Sequence, residues 1–256
     1  MKIVMLTLFP ELFDSFFAHS IIKRGLSKEA FSYSLVNIRD FTTNKHHRVD
    51  YPPIGGGAGL IMAYQPIRDA LNSVKAKNSL TVLMSPRGET YNQSIANELT
   101  KYDQINIICG HYEGVDERVY SLVNRVISLG DYVLTGGELG AMIITDSVVR
   151  LLEGTITSES LEEESFSNGL LEYPQYVEPF SIDEKEVPLI LYSGNHTAIK
   201  KWRTKNSLLL TKKHRPDLFE KYALTKHEIK LLEEPGIPKW ESEAIEKGKK
   251  FTANKK

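Results

Sequence analysis

Short apolar runs alternate with helix-periodic segments along the first 150 residues. The runs typical of buried strands are Ile3–Leu8, Tyr33–Ile38, Leu80–Met84, Ile105–Cys109 and Arg125–Ile127. Helical spacing marks Pro10–Gly25, Gln65–Val74, Gln93–Leu99, Val115–Val123 and Glu138–Leu152. Because strands and helices alternate, the pattern predicts an α/β fold with a parallel sheet covered on both faces.

The pattern changes after residue 154. Residues 155–169 are rich in Ser, Thr and Glu and poor in apolar side chains, which predicts a flexible acidic linker. Helical segments follow near Asn195–Lys205, Pro216–Tyr222 and Lys226–Glu233. We therefore expect an α/β domain over 1–154, the linker over 155–169, a small helical domain over 170–240 and a tail over 241–256.

Composition excludes several classes of protein. The single cysteine, Cys109, allows no internal disulfide and no thiolate metal site. The apolar start Met1–Phe9 is too short for a signal peptide, and no later run is long enough to span a bilayer. We therefore expect a cytoplasmic protein without a membrane partner.

Charge is unevenly distributed although the net charge is −1. Residues 151–190 carry ten acidic side chains against one Lys, whereas residues 195–216 carry seven Lys or Arg and no acid. The basic stretch favours a phosphate-rich partner such as RNA. A solvated lysine-rich face explains the same pattern equally well.

Three glycine-rich turns follow predicted strands, at Ser85–Gly88, Gly110–Gly114 and Ser128–Gly140. Strand ends that converge on a ligand are the usual site of an open α/β sheet, and glycine lets the backbone come close to the ligand. Tight connections without a ligand are the alternative reading. A further run, Gly55–Gly59, has neither the dinucleotide fingerprint nor the Lys-Ser/Thr of a P-loop, which favours a flexible loop.

In their order, these segments resemble the bacterial tRNA (guanine-N1)-methyltransferase family of the SPOUT class over about residues 1–235. The matching motifs are Thr7–Pro10, Asp50–Pro52, Gly55–Gly59, Ser85–Gly88, Cys109–Arg118, Gly130–Leu139, Asp146–Val148, Ser165–Pro174 and Ser193–His196. The resemblance implies a parallel sheet with a C-terminal trefoil knot. It also implies methylation of the guanosine 3′ of the anticodon, a homodimer whose active site is shared between chains, and a magnesium requirement with no assigned ligands.

The implied methyl donor is S-adenosylmethionine. By position in the motifs, its binding falls to Leu83, Met84, Ser85, Pro86, Gly110, Tyr112, Glu113, Gly114, Leu129, Gly130, Asp131, Tyr132, Val133, Leu134, Gly136 and Gly137. These residues belong to the three glycine-rich turns and the strand end before the first of them.

The resemblance also implies two catalytic residues outside these turns. Arg150 matches the family arginine that polarises the base, and Glu164 stands where the family has the aspartate that takes the N1 proton. Glutamate offers the same carboxylate on a side chain that is one methylene longer. Two alternatives stay open: a methyltransferase of this fold that acts on another RNA nucleotide, and a non-catalytic RNA-binding protein on the same scaffold.

Overall fold

The computed structural model describes residues 1–234 and 236–252. Met1–Ser158 form one compact unit, and the residues from Glu159 onward form a second. The division falls inside the segment 155–169. Each unit is described below by itself.

The first unit contains a parallel sheet with the strand order β2-β1-β6-β5-β7 and a small antiparallel pair, β3-β4. Its strands are β1 (Lys2–Thr7), β2 (Ser32–Asn37), β3 (Asp50–Tyr51), β4 (Ile61–Met62), β5 (Ser79–Thr90), β6 (Gln104–Ile108) and β7 (Arg125–Ser128). All residues of β6, the central strand, are buried. The predicted parallel α/β architecture is confirmed.

Helices cover both faces of this sheet. They are α1 (Asp14–Ala18), α2 (Ser20–Ser27), α3 (Tyr64–Ser73), α4 (Gln93–Leu99) and α5 (Glu138–Val149), with 3-10 turns at Pro10–Phe13, Ile38–Phe41 and Glu117–Leu122. Ile144 and Val148 of α5 pack with Ile105 in one apolar core. Ile67 of α3 packs with Leu6 in a second core on the opposite face.

Three predicted boundaries in the first unit were wrong. Strand β5 was expected to end at Met84, but it runs to Thr90 past an irregularity at which Met84 and Glu89 both pair with Ile127. The helix predicted from Pro10 is broken at Ser20, whose φ of 54° lies in the left-handed region. The helix predicted over 115–123 is a 3-10 turn.

The second unit is mainly helical. Its elements, with the helix at the division first, are α6 (Ser158–Glu162), β8 (Ser181–Ile182), β9 (Lys185–Glu186), a 3-10 turn at Leu189–Tyr192, α7 (His196–His214), α8 (Pro216–Phe219), α9 (Lys226–Glu233) and α10 (Lys239–Thr252). The Asn195 side chain caps α7, and Thr225 and Glu228 form a capping box at α9. Trp202 is buried in a small core with Ala198 and Ile190, so it serves packing.

The prediction of a tail over 241–256 was wrong for residues 241–252, which belong to α10. Ala244 is buried, and Gly248 brings the helix backbone against Ser193. Trp240, Ala244 and Gly248 are spaced four residues apart and therefore lie on one face of α10. The charged residues around them hide this helical period in the sequence. Residues 253–256 lie outside the described residues. No helix in the described ranges is long and apolar enough to cross a membrane.

Candidate active site

A cavity of about 560 Å³ opens beside the irregular middle of β5, after Met84, and at the carboxyl ends of β6 and β7. Its lining includes all of the predicted donor-binding residues except one: Leu83, Met84, Ser85, Pro86, Gly110, Tyr112, Glu113, Gly114, Leu129, Gly130, Tyr132, Val133, Leu134, Gly136 and Gly137. Asp131 is exposed and is not part of the lining. The structure therefore brings the three glycine-rich segments together around one concave site, but the prediction of a turn at Ser85–Gly88 was wrong, because these residues lie inside β5.

The second and third turns are in direct contact. The Gly137 N–H donates to the Gly110 carbonyl at 2.8 Å. A Cβ atom added to Gly137 would lie 2.8 Å from Cα of Cys109, which is closer than ordinary van der Waals contact. Gly137 is therefore required by close approach of two backbone segments, and its own backbone is in the ordinary helical region.

A buried carboxylate lies behind this contact. Glu138 is 4% exposed, and its Oε1 accepts a hydrogen bond from Thr7 Oγ1 at 2.8 Å. Its Oε2 lies 3.9 Å from Nδ1 of His111. Burial, together with the Glu138 charge, raises the pKa of the Cys109 thiol well above its usual value, so that thiol is inert.

No local signal in the sequence identifies this Thr7–Glu138–His111 group. A threonine in an apolar strand and a glutamate in a helix's first turn are usually local features. Only tertiary structure joins positions that are 131 residues apart.

Arg87 and Tyr120 also line the cavity, although neither was among the predicted donor-binding residues. The Arg87 guanidinium lies 4.1 Å from the Tyr120 ring centre and forms two hydrogen bonds to the Glu117 carboxylate, at 2.5 and 3.0 Å. The Tyr120 hydroxyl is 3.0 Å from Ser85 Oγ. A planar guanidinium stacked on a ring is a polar, flat surface suited to a purine or a phosphate.

The Gly55–Gly59 loop is attached to the second turn. The Leu60 N–H donates to the Glu113 carboxylate at 2.6 Å, and the Glu113 N–H donates back to the Leu60 carbonyl at 3.2 Å. The Met62 N–H donates to the Gly114 carbonyl at 2.9 Å. The loop is therefore anchored beside the cavity at its carboxyl end, which the prediction of a flexible loop did not include.

The two predicted catalytic residues lie in different units. Arg150 follows the last residue of α5, and its N–H donates to the Asp146 carbonyl at 3.2 Å. Glu164 lies in the second unit, where it lines a cleft of about 700 Å³ together with His196 and Arg203. For a metal, no group of three His, Cys, Asp or Glu side chains within residues 1–234 and 236–252 has suitable geometry.

Comparison with known proteins identifies the family. The model of the tRNA (guanine-1)-methyltransferase (TrmD) family matches residues 1–221. The chain belongs to this family.

Relatives in the tRNA (guanine-1)-methyltransferase family match over nearly their whole length. A Clostridium botulinum (strain Langeland) protein named tRNA (guanine-N(1)-)-methyltransferase is 52% identical over 236 residues, which are 91% of this chain and 98% of the relative. A Clostridium perfringens (strain SM101) protein of the same name is 52% identical over 234 residues, which are 91% of this chain and 99% of the relative. The family match includes the cavity, Arg150 and Glu164, whereas α10 lies beyond residue 221.

Proposed function

We propose that this protein transfers a methyl group from S-adenosylmethionine to N1 of the guanine 3′ of the anticodon, at position 37 of tRNA. The observation that carries this proposal is the single cavity formed by the glycine turns in a chain of the tRNA (guanine-1)-methyltransferase family. The names of the 52% identical relatives support the same reaction.

The cavity suits a donor of this kind. Its volume of about 560 Å³ lies within the range of small-molecule sites. Gly110, Gly136 and Gly137 let the backbone approach a ligand. Leu129, Gly130 and residues 132–134 supply an adjacent, mainly apolar wall. When bound, S-adenosylmethionine supplies an electrophilic methyl group on a sulfonium centre.

Two side chains carry the proton chemistry in this proposal. Glu164 would take the proton from guanine N1, so that the ring nitrogen becomes nucleophilic; the new N–C bond would replace the methyl–sulfur bond of the donor, whose sulfur would keep the electron pair as a thioether. Arg150 stabilises the negative charge that develops on O6 of the base. The guanine must leave its stack to reach both groups, as bases do in other enzymes that modify them.

The route of the chain after β7 supports the proposed trefoil knot. Strand β7 lies at the edge of the sheet, yet α5 packs against β1 and α2. Residues 129–137 connect them and reach the end of β6, where Gly137 bonds to Gly110.

The proposed assembly is a homodimer in which each active site takes residues from both chains, and the partner is the tRNA anticodon loop. The seven basic residues between 195 and 216 favour binding of the RNA backbone. The family resemblance also implies a magnesium requirement, but within residues 1–234 and 236–252 no three His, Cys, Asp or Glu side chains are grouped so that they could bind a metal ion.

A methylation assay tests the function. The purified protein is incubated with labelled S-adenosylmethionine and two tRNA transcripts that differ only in having guanine or adenine 3′ of the anticodon. We expect label in the guanine transcript alone. Equal label in both would favour action on another nucleotide, and binding without label would favour a non-catalytic RNA-binding protein.

A further inference from the structure

The segment that carries Glu164 is hydrogen-bonded to side chains of α7 that lie about one helical turn apart. Arg203, Ser207 and Thr211 are spaced four residues apart, so they lie on one face of the helix. Ser207 Oγ donates to the Leu171 carbonyl at 2.5 Å, and the Leu171 N–H donates to Thr211 Oγ1 at 2.9 Å. These two bonds fix the segment on the carboxyl side of Glu164.

Residues 164–172 form a compact turn that is held by its own hydrogen bonds. The Phe166 N–H donates to the Leu170 carbonyl at 2.7 Å, and Phe166 has a φ of 73°. Ser167 Oγ donates to the Glu164 carbonyl at 2.6 Å, and the Glu172 N–H donates to Ser165 Oγ at 3.1 Å. The backbone of Glu164 is therefore defined by its neighbours in the same unit.

On the amino side of Glu164, the adjacent Glu163 is held by two side chains. Arg203 Nη1 lies 3.3 Å from both carboxylate oxygens of Glu163, and the Tyr173 hydroxyl donates to Oε2. The Arg203 guanidinium also lies 4.5 Å from the Tyr173 ring centre. Burial and the bond to Glu163 raise the pKa of Tyr173 to about 12, so the hydroxyl keeps its proton, and can donate to Glu163, well into the alkaline range.

We propose that Glu163, Tyr173 and Arg203 are positioning residues that hold the neighbouring Glu164 carboxylate for proton transfer. The Glu163–Arg203 ion pair is exposed, with side-chain exposures of 57% and 39%, so it contributes little to the free energy of unfolding. Its effect is geometric, because a general base must lie within hydrogen-bond reach of its proton. This inference rests on the proposed role of Glu164.

The test is a set of double-mutant cycles. Glu163→Gln and Tyr173→Phe are each made in the wild-type chain and in Glu164→Gln, and single-turnover methyl transfer is measured with saturating S-adenosylmethionine and tRNA. In the wild-type chain, we expect each change to slow transfer by about tenfold, since misplacement by about 1 Å costs up to about 10²-fold. In Glu164→Gln, we expect no further loss, because no base is left to position.

Binding measurements separate positioning from RNA contact. The affinities for S-adenosylmethionine and tRNA should be unchanged in Tyr173→Phe, which alters no charge. Glu163→Gln removes a negative charge beside an anionic ligand, so weaker tRNA binding cannot account for a slower rate. Glu246→Gln is the matched control, because it breaks a similarly exposed ion pair with Lys249 (2.6 Å) in the same unit, and it should keep the wild-type rate.

Equal losses in both backgrounds would overturn the inference, since the three side chains would then act elsewhere. Unchanged rates, or a loss confined to tRNA affinity, would also overturn it. If Glu164→Gln is as fast as the wild-type chain, the role of Glu164 and the positioning role both fail. If the methylated nucleotide is not the one proposed but the non-additivity holds, the positioning role stands and only the proposed substrate position fails.

Discussion

Gly137→Ala is the substitution with the sharpest steric consequence at the donor cavity. The backbone of Gly137 is helical, with φ −82° and ψ −6°, so alanine carries no torsional penalty there. Its Cβ, however, would lie 2.8 Å from Cα of Cys109 and 3.0 Å from the Gly110 nitrogen. These neighbours are backbone atoms of the two residues that follow the central strand β6, and they cannot rotate away as a side chain can.

The size of the effect follows from these distances. Restoring ordinary contact requires the two turns to separate by about 0.6 Å, and overpacking of this kind costs about 1–3 kcal/mol. The Gly137–Gly110 hydrogen bond is strained at the same time and is worth about 1 kcal/mol. A destabilisation of about 2–4 kcal/mol lowers Tm by roughly 4–16 °C for a unit of this size.

The assay is thermal unfolding together with calorimetric titration of S-adenosylmethionine. We expect Gly137→Ala to bind the donor at least about tenfold more weakly, a loss of about 1.4 kcal/mol. The control is Gly25→Ala in α2, which lies outside the cavity lining; its Cβ would lie 3.1 Å from a ring carbon of Phe31, and the change gains about 1 kcal/mol of helix propensity. Wild-type stability and binding in Gly137→Ala, or equal damage in Gly25→Ala, would refute this reasoning.

Further predictions concern catalysis, assembly and the second unit. Glu164→Gln should slow single-turnover transfer by about 10²–10⁴ and leave calorimetric donor affinity unchanged, whereas a wild-type rate would remove its role as base. Arg150→Ala should also be slow with the donor bound, and normal turnover would exclude its electrostatic role. If the site is shared, subunit exchange between these two inactive variants should restore about a quarter of the wild-type rate, and a site within one chain would restore none. Thr225→Ala removes the capping box of α9 and should cost about 1 kcal/mol in urea unfolding; an unchanged midpoint would contradict this.

Local patterns were sufficient for the sheet and for most of the cavity. Five apolar runs identified the strands of the parallel sheet, because strands buried on both faces leave a continuous apolar signal. The glycine-rich segments identified the cavity, since two of them follow the ends of β6 and β7 and the third lies at the irregularity of the neighbouring strand β5. The resemblance to a known family added Arg150 and Glu164, which no spacing in the sequence could have indicated.

The parts that sequence reasoning missed depend on long-range contacts. The extension of β5 through Pro86 requires a partner strand, β7, and its length cannot be read from local propensity. The buried Glu138 is stabilised by Thr7, and the two are remote in sequence. Helix α10 was predicted as a tail because its apolar face is narrow. That face becomes part of a core only when Ala244 packs with Ile190 and Trp202 of the same unit.

Analysis of the methylated nucleoside tests the central claim most directly. Wild-type protein, S-adenosylmethionine and a tRNA with guanine 3′ of the anticodon are incubated, and the digested tRNA is examined by mass spectrometry against methylguanosine standards. We predict 1-methylguanosine at that single position, and its loss in Glu164→Gln. Methylation at another atom or another nucleotide would contradict the proposal.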